Sequence, residues 1–252
     1  MIDAKTYQTL VVVMLALALV TFVALRFIVA PYGRHARKGW GPTLPDRVGW
    51  MIMESPSLLL FSAIFWIGPH HGEIVPRVLW ALWALHYGNR CLVYPLQLAS
   101  NGKRMPVAIV LMAIAFNVLN STINASWIGW VGSYASDELT SPRFLAGVAL
   151  FLTGMVLNLD ADRRLRTLRA PGEVGYKIPH GGLYELVTSP NYLGEILEWS
   201  GWALASASWG GVAFAVYTFA NLAPRALSHH AWYRDKFSDY PTKRRALVPW
   251  LW

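Results

Sequence analysis

The part of the chain from Asn158 to Trp252 carries acids, amides and cations at helical spacing within otherwise apolar sequence. At about 100° per residue, a helix brings positions three, four, seven or eleven apart onto one face. Three polar stripes follow this rule: Asn158, Asp162 and Arg169; Asn191, Glu195 and Glu198; and Arg225, His229 and Tyr233. Ionisable groups in or beside a bilayer are costly unless they pair with each other or with a ligand. The stripes therefore predict a polar pocket in a membrane protein.

The residue types in these stripes indicate the ligand chemistry. An amide beside an acid, as in Asn158 and Asp162, suits hydrogen bonds to a ribose or to a nicotinamide-like carboxamide. The forked guanidinium of Arg169 suits a phosphate. Two acids on one inner helix face, Glu195 and Glu198, are expensive without a function. We therefore interpret the stripes as a binding surface.

Two patches nearer the amino terminus have less specific patterns. Glu54 follows Met53 at the predicted cytoplasmic start of the second helix, where an acid also stabilises the positive helix end. Tyr87, Arg90 and Tyr94 share a face at the end of the third helix. An interfacial aromatic residue beside a snorkelling arginine explains that face as well as a site does.

Other polar residues have structural explanations. Asn117, Asn120 and Asn124 line one face of the fourth helix, where hydrogen bonds between helices are favoured over ligand contact. Two glycines at positions 181–182 would let the backbone approach a ligand closely. Ser189 and Pro190 form an N-cap and first-turn pair for the next helix.

The composition favours a membrane protein. The chain has 252 residues, of which 55% are hydrophobic and 14% charged, whereas soluble domains have about 25% charged residues. Thirteen tryptophans and eleven tyrosines suit the headgroup level of a bilayer. The single cysteine, Cys91, excludes an internal disulfide and provides no metal-site spacing, so no metal is expected.

Seven apolar segments are each close to the ~20 residues that span a bilayer. They cover residues 8–30, 52–68, 74–94, 105–125, 143–159, 193–208 and 211–227, and the last two form a hairpin around a turn at 208–211. The first segment predicts a retained helix, since it has no cleavage site and carries an acid before its apolar run.

The basic residues predict the topology of these seven helices. Nineteen of the 22 lysines and arginines fall on one side, and only Lys5, Arg77 and Arg143 fall on the other. The positive-inside rule then places the amino terminus outside and the carboxyl terminus in the cytoplasm. Because this explains the net charge of +8, no nucleic-acid partner is expected. An excess of arginine over lysine indicates a GC-rich, bacterial genome.

The polar stripes lie within motifs that closely resemble the steroid 5α-reductase family. The resemblance runs through residues 154–158, 168–173, 176–183, 191–199, 239–241 and 246–250. In the first two thirds of the chain it is limited to residues 54–57 and to His86, Tyr87 and Arg90. Met53 stands where the family has a polar glutamine, which bears on steroid selectivity. Ser228 interrupts a longer histidine run but leaves His229 in register.

This resemblance implies an all-α integral membrane enzyme with seven transmembrane helices that uses NADPH to reduce the Δ4 double bond of 3-oxo steroids. Residues 1–142 would mainly form the lipid-substrate pocket, and residues 143–252 the NADPH site, within a single membrane-embedded domain. Glu54 and Tyr87 would hold the 3-oxo group. The residues implied to contact the cofactor are Arg90, Asn158, Asp162, Arg169, Asn191, Glu195, His229 and Tyr233.

The implied reaction gives these residues consistent roles. The chain has no G-x-G-x-x-G motif after a strand, so the cofactor would bind among helix ends and loops. Hydride addition to the β-carbon of an enone places negative charge on the carbonyl oxygen, where a phenol such as that of Tyr87 can donate a hydrogen bond. Glu54 would orient this phenol, and the cofactor would supply the reducing power. The source of the proton for the α-carbon stays open.

Several alternatives remain at this stage. The substrate could be another lipid enone, such as a sterol or a polyprenoid. A methyltransferase of the isoprenylcysteine type, dependent on S-adenosylmethionine, also joins apolar helices to a polar carboxy-terminal site. A seven-helix receptor or transporter is a third class, although residues 211–227 contain no lysine for a retinal Schiff base. We expect a monomer that binds a steroid-like lipid, in the bacterial inner membrane or, in a eukaryote, the endoplasmic reticulum.

Overall fold

The computed structural model describes residues 2–29, 35, 37, 39–98, 102–135, 137–170, 173 and 175–252. Within these ranges the chain is mostly helical. The α-helices are α1 (Ala4–Phe27), α2 (Asp46–Trp66), α3 (Ile74–Gly88), α4 (Tyr94–Gln97), α5 (Val107–Ser126), α6 (Pro142–Thr167), α7 (Pro190–Ser206) and α8 (Trp209–Lys236). Two short antiparallel strands, β1 (Thr43–Pro45) and β2 (Arg104–Pro106), lie before α2 and α5.

Short helical turns extend or precede several of these helices. π-helical turns, at Asn89–Val93 and Trp127–Val131, follow α3 and α5, and the first joins α3 to α4 as one continuous helical stretch. Single 3₁₀ turns occupy Pro69–Gly72, Glu138–Thr140 and Gly182–Glu185. All seven predicted apolar segments therefore fall on long helical stretches.

Four helices have the length and apolar composition needed to cross a bilayer. They are α1, α2, α6 and the stretch Val107–Val131 that combines α5 with its π turn. Leucine and valine side chains of α1 are widely exposed, as in a helix that faces lipid. The mostly helical class and the membrane-compatible helices are confirmed, whereas the number of seven spans and the orientation of the termini stay predictions.

The ends of α7 differ in detail from the predicted signals. Pro190 is the first residue of α7 and Ser189 precedes it, as predicted, but the Ser189 hydroxyl makes no capping hydrogen bond among the described residues. At the other end, Ala207 takes a left-handed conformation with φ 47°. Ser208 then caps α8 by accepting a hydrogen bond from the amide of Gly211, 2.8 Å away. The predicted turn thus falls earlier, at residues 207–208.

Glycines let α6 and α7 approach until their backbones touch. An added Cβ on Gly194 would lie 2.6 Å from the amide nitrogen of Asn158, and one on Gly147 would lie 2.5 Å from that of Ala205. Gly201 faces the backbone of Phe151 in the same way. This close contact brings the polar residues of both helices within hydrogen-bonding distance, since Asn158 of α6 meets Asn191 of α7.

Replacing Gly201 with alanine should destabilise the protein by about 3 kcal/mol, because the new methyl group meets backbone atoms that cannot rotate away. Thermal unfolding of the purified protein in detergent measures the effect. Gly72→Ala is the matched control, since its Cβ would have no described atom within 4 Å. Equal melting temperatures for the two variants would show that α6 and α7 do not touch as described.

A cluster of aromatic side chains forms the core beneath the site. Trp83 of α3 stacks on Phe61 of α2 at a centroid distance of 4.1 Å, and it contacts Trp199 and Trp202 of α7 at 5.3 and 5.0 Å. The Trp202 indole donates a hydrogen bond to Asn124 Oδ1 at 3.0 Å. The predicted hydrogen bonding between helices by the α5 asparagines is therefore confirmed at this position.

The carboxy-terminal segment fixes the chain that leads into α7. The amide of Thr188 donates to the carbonyl of Arg245 at 2.8 Å, and the Thr188 hydroxyl shares hydrogen bonds with His230 and Tyr240. Burial lowers the pKa of His230. The side chain of Arg244 is fully buried and donates to the carbonyl of Pro179 at 3.1 Å. The start of α7, which carries Asn191, is thereby held in place.

Candidate active site

The π-helical turn after α3 places Arg90 at the centre of a cluster of polar residues. A π turn inserts one extra residue into a helix, which redirects the side chains that follow it. The guanidinium of Arg90 lies over the rings of Trp50 and Tyr94, 4.9 and 4.7 Å from their centroids. Its Nη1 atom lies 3.4 Å from Oδ2 of Asp162. The predicted shared face of Arg90 and Tyr94 is thus present.

The predicted amides and acids of α6 and α7 meet at the same place. The side-chain amide of Asn158 donates to the backbone carbonyl of Asn191 at 3.0 Å. The side-chain amide of Asn191 in turn donates to Oδ1 of Asp162 at 3.2 Å. Asn158 and Asp162 are both buried. Three of the predicted cofactor residues therefore form one hydrogen-bonded group with Arg90.

Glu195 and Glu54 complete this group of charges. Both carboxyl groups lie within electrostatic range of Arg90, and they also interact with each other. Glu195 has no hydrogen-bond partner within the described part of the chain. Together with Asp162, three carboxyl groups therefore share one guanidinium at this position. Such a cluster has unused acceptor atoms for the N–H and O–H groups of a ligand.

Glu54 lies deeper in its helix than the sequence predicted. Because α2 begins at Asp46, Glu54 is more than two turns from the helix end, and stabilisation of that end no longer explains it. Asn117 of α5 holds its carboxylate by donating to Oε2 at 3.2 Å and also donates to the carbonyl of Met53. This sequence prediction was wrong, because α2 begins with Asp46 and Arg47, which lie before the apolar segment from which the helix start was predicted.

Tyr87 lies within electrostatic range of Glu54. Tyr87 is 4% exposed, and its ring packs against Trp83 and Trp199 at centroid distances of 5.0 and 5.6 Å. The phenol is therefore held in an apolar aromatic cage, within electrostatic range of a carboxyl group.

A buried pair beside this tyrosine was not identified as a site from the sequence. His86 Nδ1 and Glu198 Oε1 share a hydrogen bond of 2.7 Å between α3 and α7, and both side chains are at most 5% exposed. The sequence placed Glu198 on the stripe with Asn191 and Glu195. Its partner could not be identified, since the two residues are 112 positions apart.

Arg169 is not part of the helical stripe with Asn158 and Asp162. Helix α6 ends at Thr167, so Arg169 follows the last turn and leaves the helical register. Its guanidinium donates to the carbonyl of Gly175 at 3.0 Å and lies 5.9 Å from the ring centroid of Tyr176. Arg169 therefore shapes the loop that follows α6.

The α8 stripe divides into two environments. Arg225 donates to the hydroxyl of Tyr192 at 3.0 Å, and the ring of His229 lies 5.4 Å from that of Tyr192. These two residues thus contact α7 at Tyr192, the residue that follows Asn191 in the chain. Tyr233 instead stacks on Tyr240 at 5.4 Å, in contact with the carboxy-terminal segment.

The two glycines at 181–182 accommodate an arginine. Both have positive φ, 83° and 54°, which explains the choice of glycine. An added Cβ on Gly182 would lie 3.1 Å from Nε of Arg164 and from Oδ2 of Asp160. The close approach that was predicted for a ligand is therefore made to the ion pair of Arg164 and Asp160.

A phenol, an amide cluster and a guanidinium lie together inside an apolar helical bundle. This arrangement is typical of a membrane enzyme that acts on a lipid. Sequence comparisons agree with this class. The family model described as 3-oxo-5-alpha-steroid 4-dehydrogenase matches residues 103–252. The chain is 43% identical to the steroid 5-alpha-reductase DET2 of Gossypium hirsutum over 99% of both chains.

Animal relatives are equally similar. The chain is 45% identical to the human 3-oxo-5-alpha-steroid 4-dehydrogenase 1, over 87% of this chain and 85% of the human protein, and 44% identical to the bovine protein of that name, over 94% and 93%. The protein is an oxidoreductase that belongs to the 3-oxo-5-alpha-steroid 4-dehydrogenase family. These relatives come from plants and animals and do not support the predicted bacterial origin.

Proposed function

We propose that this protein reduces the Δ4 C=C bond of a 3-oxo steroid with hydride from NADPH, giving the 5α-reduced ketone. The observation that carries the proposal is that Glu54 lies within electrostatic range of both the buried Tyr87 and Arg90, around which the amides and acids gather. This arrangement supports a site for a polarised carbonyl next to a site for a polar cofactor inside an apolar bundle. The relatives that share this chain's full length are named for the same reaction.

The residues present fit a nicotinamide dinucleotide. Asn158, Asp162, Asn191 and Glu195 offer donors and acceptors for a carboxamide and a ribose, and the three carboxyl groups around Arg90 need further donors. Arg225 and His229, beside Tyr192, suit phosphate groups. When bound, NADPH supplies the hydride. The protein orients the reactants and excludes water.

Tyr87 and Glu54 then act on the steroid. The Tyr87 hydroxyl donates to the 3-oxo oxygen, where negative charge develops as the β-carbon accepts the hydride. Glu54, fixed by Asn117, orients that hydroxyl. The surrounding tryptophans keep water away, which strengthens the hydrogen bond to the oxygen.

A panel of substrates tests this function. Purified protein in detergent with NADPH should consume the cofactor with Δ4-3-oxo steroids at least tenfold faster than with sterol or polyprenoid enones. Met53, an apolar residue that is buried beside Asn117, favours a lipid enone of another kind as the second candidate. A preference for such an enone would mean that this lipid, and not the steroid, is the substrate. Consumption of S-adenosylmethionine would exclude a reductase.

The acids and amides of α7 should determine cofactor affinity. Glu195→Gln keeps the size of the side chain but removes its charge beside Arg90, and Asn191→Ala removes the donor to Asp162. Each variant should weaken NADPH binding about tenfold, or about 1.4 kcal/mol. Calorimetry measures this affinity. The control Glu173→Gln changes an exposed acid paired with Lys177 and should bind as wild type does. Wild-type affinity in both site variants would place the cofactor elsewhere.

The proposed setting is a membrane crossed seven times by a monomer, with the amino terminus outside and the carboxyl terminus in the cytoplasm. The charge distribution supports this topology. The plant and animal relatives are consistent with the endoplasmic reticulum, whose outer face is the cytoplasmic side. Reporter fusions should locate the residue 170–190 loop and the carboxyl terminus on the cytoplasmic side. A carboxyl terminus on the opposite side would overturn the number of helices.

A further inference from the structure

The hydrogen bond between His86 and Glu198 is a buried polar contact that the reaction described above does not use. Glu198 is 0% exposed and His86 is 4% exposed, so water satisfies neither group. The second carboxyl oxygen of Glu198, Oε2, has no hydrogen-bond partner among the described residues. Burying such a pair is costly, and well-packed apolar residues are often as stable. A contribution to stability is therefore a weak explanation for it.

The surroundings of this pair point to a specific role. The imidazole of His86 meets the ring of Tyr87 edge to face, at a centroid distance of 4.9 Å and an angle of 74°. It also meets Trp199 at 4.6 Å and 66°, while Trp199 lies 5.6 Å from Tyr87. His86 and Trp199 are thus two walls of the cage that sets the plane of the Tyr87 ring.

Glu198 fixes one of these walls and belongs to the same helix as the other. A single hydrogen bond at 2.7 Å determines the orientation of the imidazole ring, which otherwise could rotate within its apolar surroundings. Helix α7 also carries Asn191 and Glu195 toward the proposed cofactor site. The hydrogen bond therefore connects the helix that carries cofactor-site residues to the helix that carries the phenol.

We propose that His86 and Glu198 are positioning residues that hold the phenol of Tyr87 toward the substrate carbonyl. Their hydrogen bond keeps the part of α3 that carries Tyr87 aligned with α7. This inference rests on the proposed function. It predicts that the pair affects turnover through Tyr87 alone. Catalytic hydrogen bonds require precise placement, and small displacements at the reacting group are sufficient to slow a reaction tenfold or more.

The test replaces both partners at once, so that no buried polar group is left without its partner. The double variant His86→Phe with Glu198→Leu retains a ring against Tyr87 but lacks the hydrogen bond. It should bind NADPH and a saturated 3-oxo steroid within about threefold of wild type, with kcat lowered about tenfold. Glu198→Gln retains an acceptor for His86 and should recover kcat to within about threefold of wild type.

The decisive comparison uses Tyr87→Phe as the background. If the pair acts through the Tyr87 hydroxyl, adding the double variant to Tyr87→Phe should lower kcat by less than twofold more. A further tenfold loss in that background, or wild-type kcat in the double variant, would overturn the positioning role while leaving the proposed function intact. Loss of NADPH binding would also overturn it, since the pair would then act on the fold. A wild-type protein that reduces no steroid would overturn both proposals.

Discussion

Replacing Tyr87 with phenylalanine should lower kcat about 10²–10³-fold, since removing one donor to a developing oxyanion costs roughly 2.7–4 kcal/mol. The change deletes one hydroxyl from a ring that is already packed in an aromatic cage, so the fold should not change. Because the hydrogen bond strengthens as charge develops, kcat should fall more than KM rises. Steady-state rates with a Δ4-3-oxo steroid and saturating NADPH measure the effect.

Two comparisons show whether this loss belongs to catalysis. Tyr184→Phe removes a hydroxyl that donates to the carbonyl of Ala161 from another buried tyrosine, and should leave kcat within about threefold. Glu54→Gln should lower kcat through the same phenol. Combining it with Tyr87→Phe should then be little worse than the poorer single variant. Full activity in Tyr87→Phe would exclude this residue from the mechanism, and multiplicative losses would show that the two residues act separately.

Replacing Arg90 with methionine should destabilise the protein by about 3–5 kcal/mol, as happens when one partner of a buried ion pair is removed. Arg90 and Asp162 are only 13% and 8% exposed, and the same guanidinium also faces Glu54 and Glu195. Its loss leaves three acids together without the cation that they share. Unfolding of the purified protein should show this loss of stability, and NADPH binding should be lost with it.

A second Arg–Asp pair provides the control for this prediction. Arg163 and Asp160 are closer, at 2.9 Å compared with 3.4 Å, but Arg163 is 65% exposed. Solvent screens such a pair, so Arg163→Met should cost less than about 1 kcal/mol. If Arg163→Met destabilised the protein as much as Arg90→Met, the contribution of Arg90 would not depend on its burial among acids.

The long helices were predictable because hydropathy reports what faces lipid or core. The helix that contains Asn158 and Asp162 also continues past the apolar segment as predicted, which brings both residues to Asn191. The position of Glu54 was predicted wrongly, since α2 begins with polar residues that a hydropathy pattern does not include. The end of α6 before Arg169 was also predicted wrongly, although Pro171 and Gly172 follow it in the sequence as a stop signal.

Contacts between distant residues could not be predicted from one sequence. The spacing of His86 within its motif gives no indication that Glu198 is its partner. Two glycines in a loop indicate a close approach, but only the structure shows that Arg164 is the group that approaches. In each case the partner is determined by the packing of helices against each other, which periodicity within one helix does not specify.

Isotope transfer to a steroid tests the central claim most directly. Wild-type protein should be given NADPH that carries deuterium at the transferred position, with a Δ4-3-oxo steroid in ordinary water. The proposed function predicts a 5α-reduced ketone with one deuterium at the β-carbon, and with unlabelled NADPH in heavy water the deuterium should appear at the α-carbon instead. An alcohol formed with the double bond intact, or a product without deuterium from the cofactor, would contradict it.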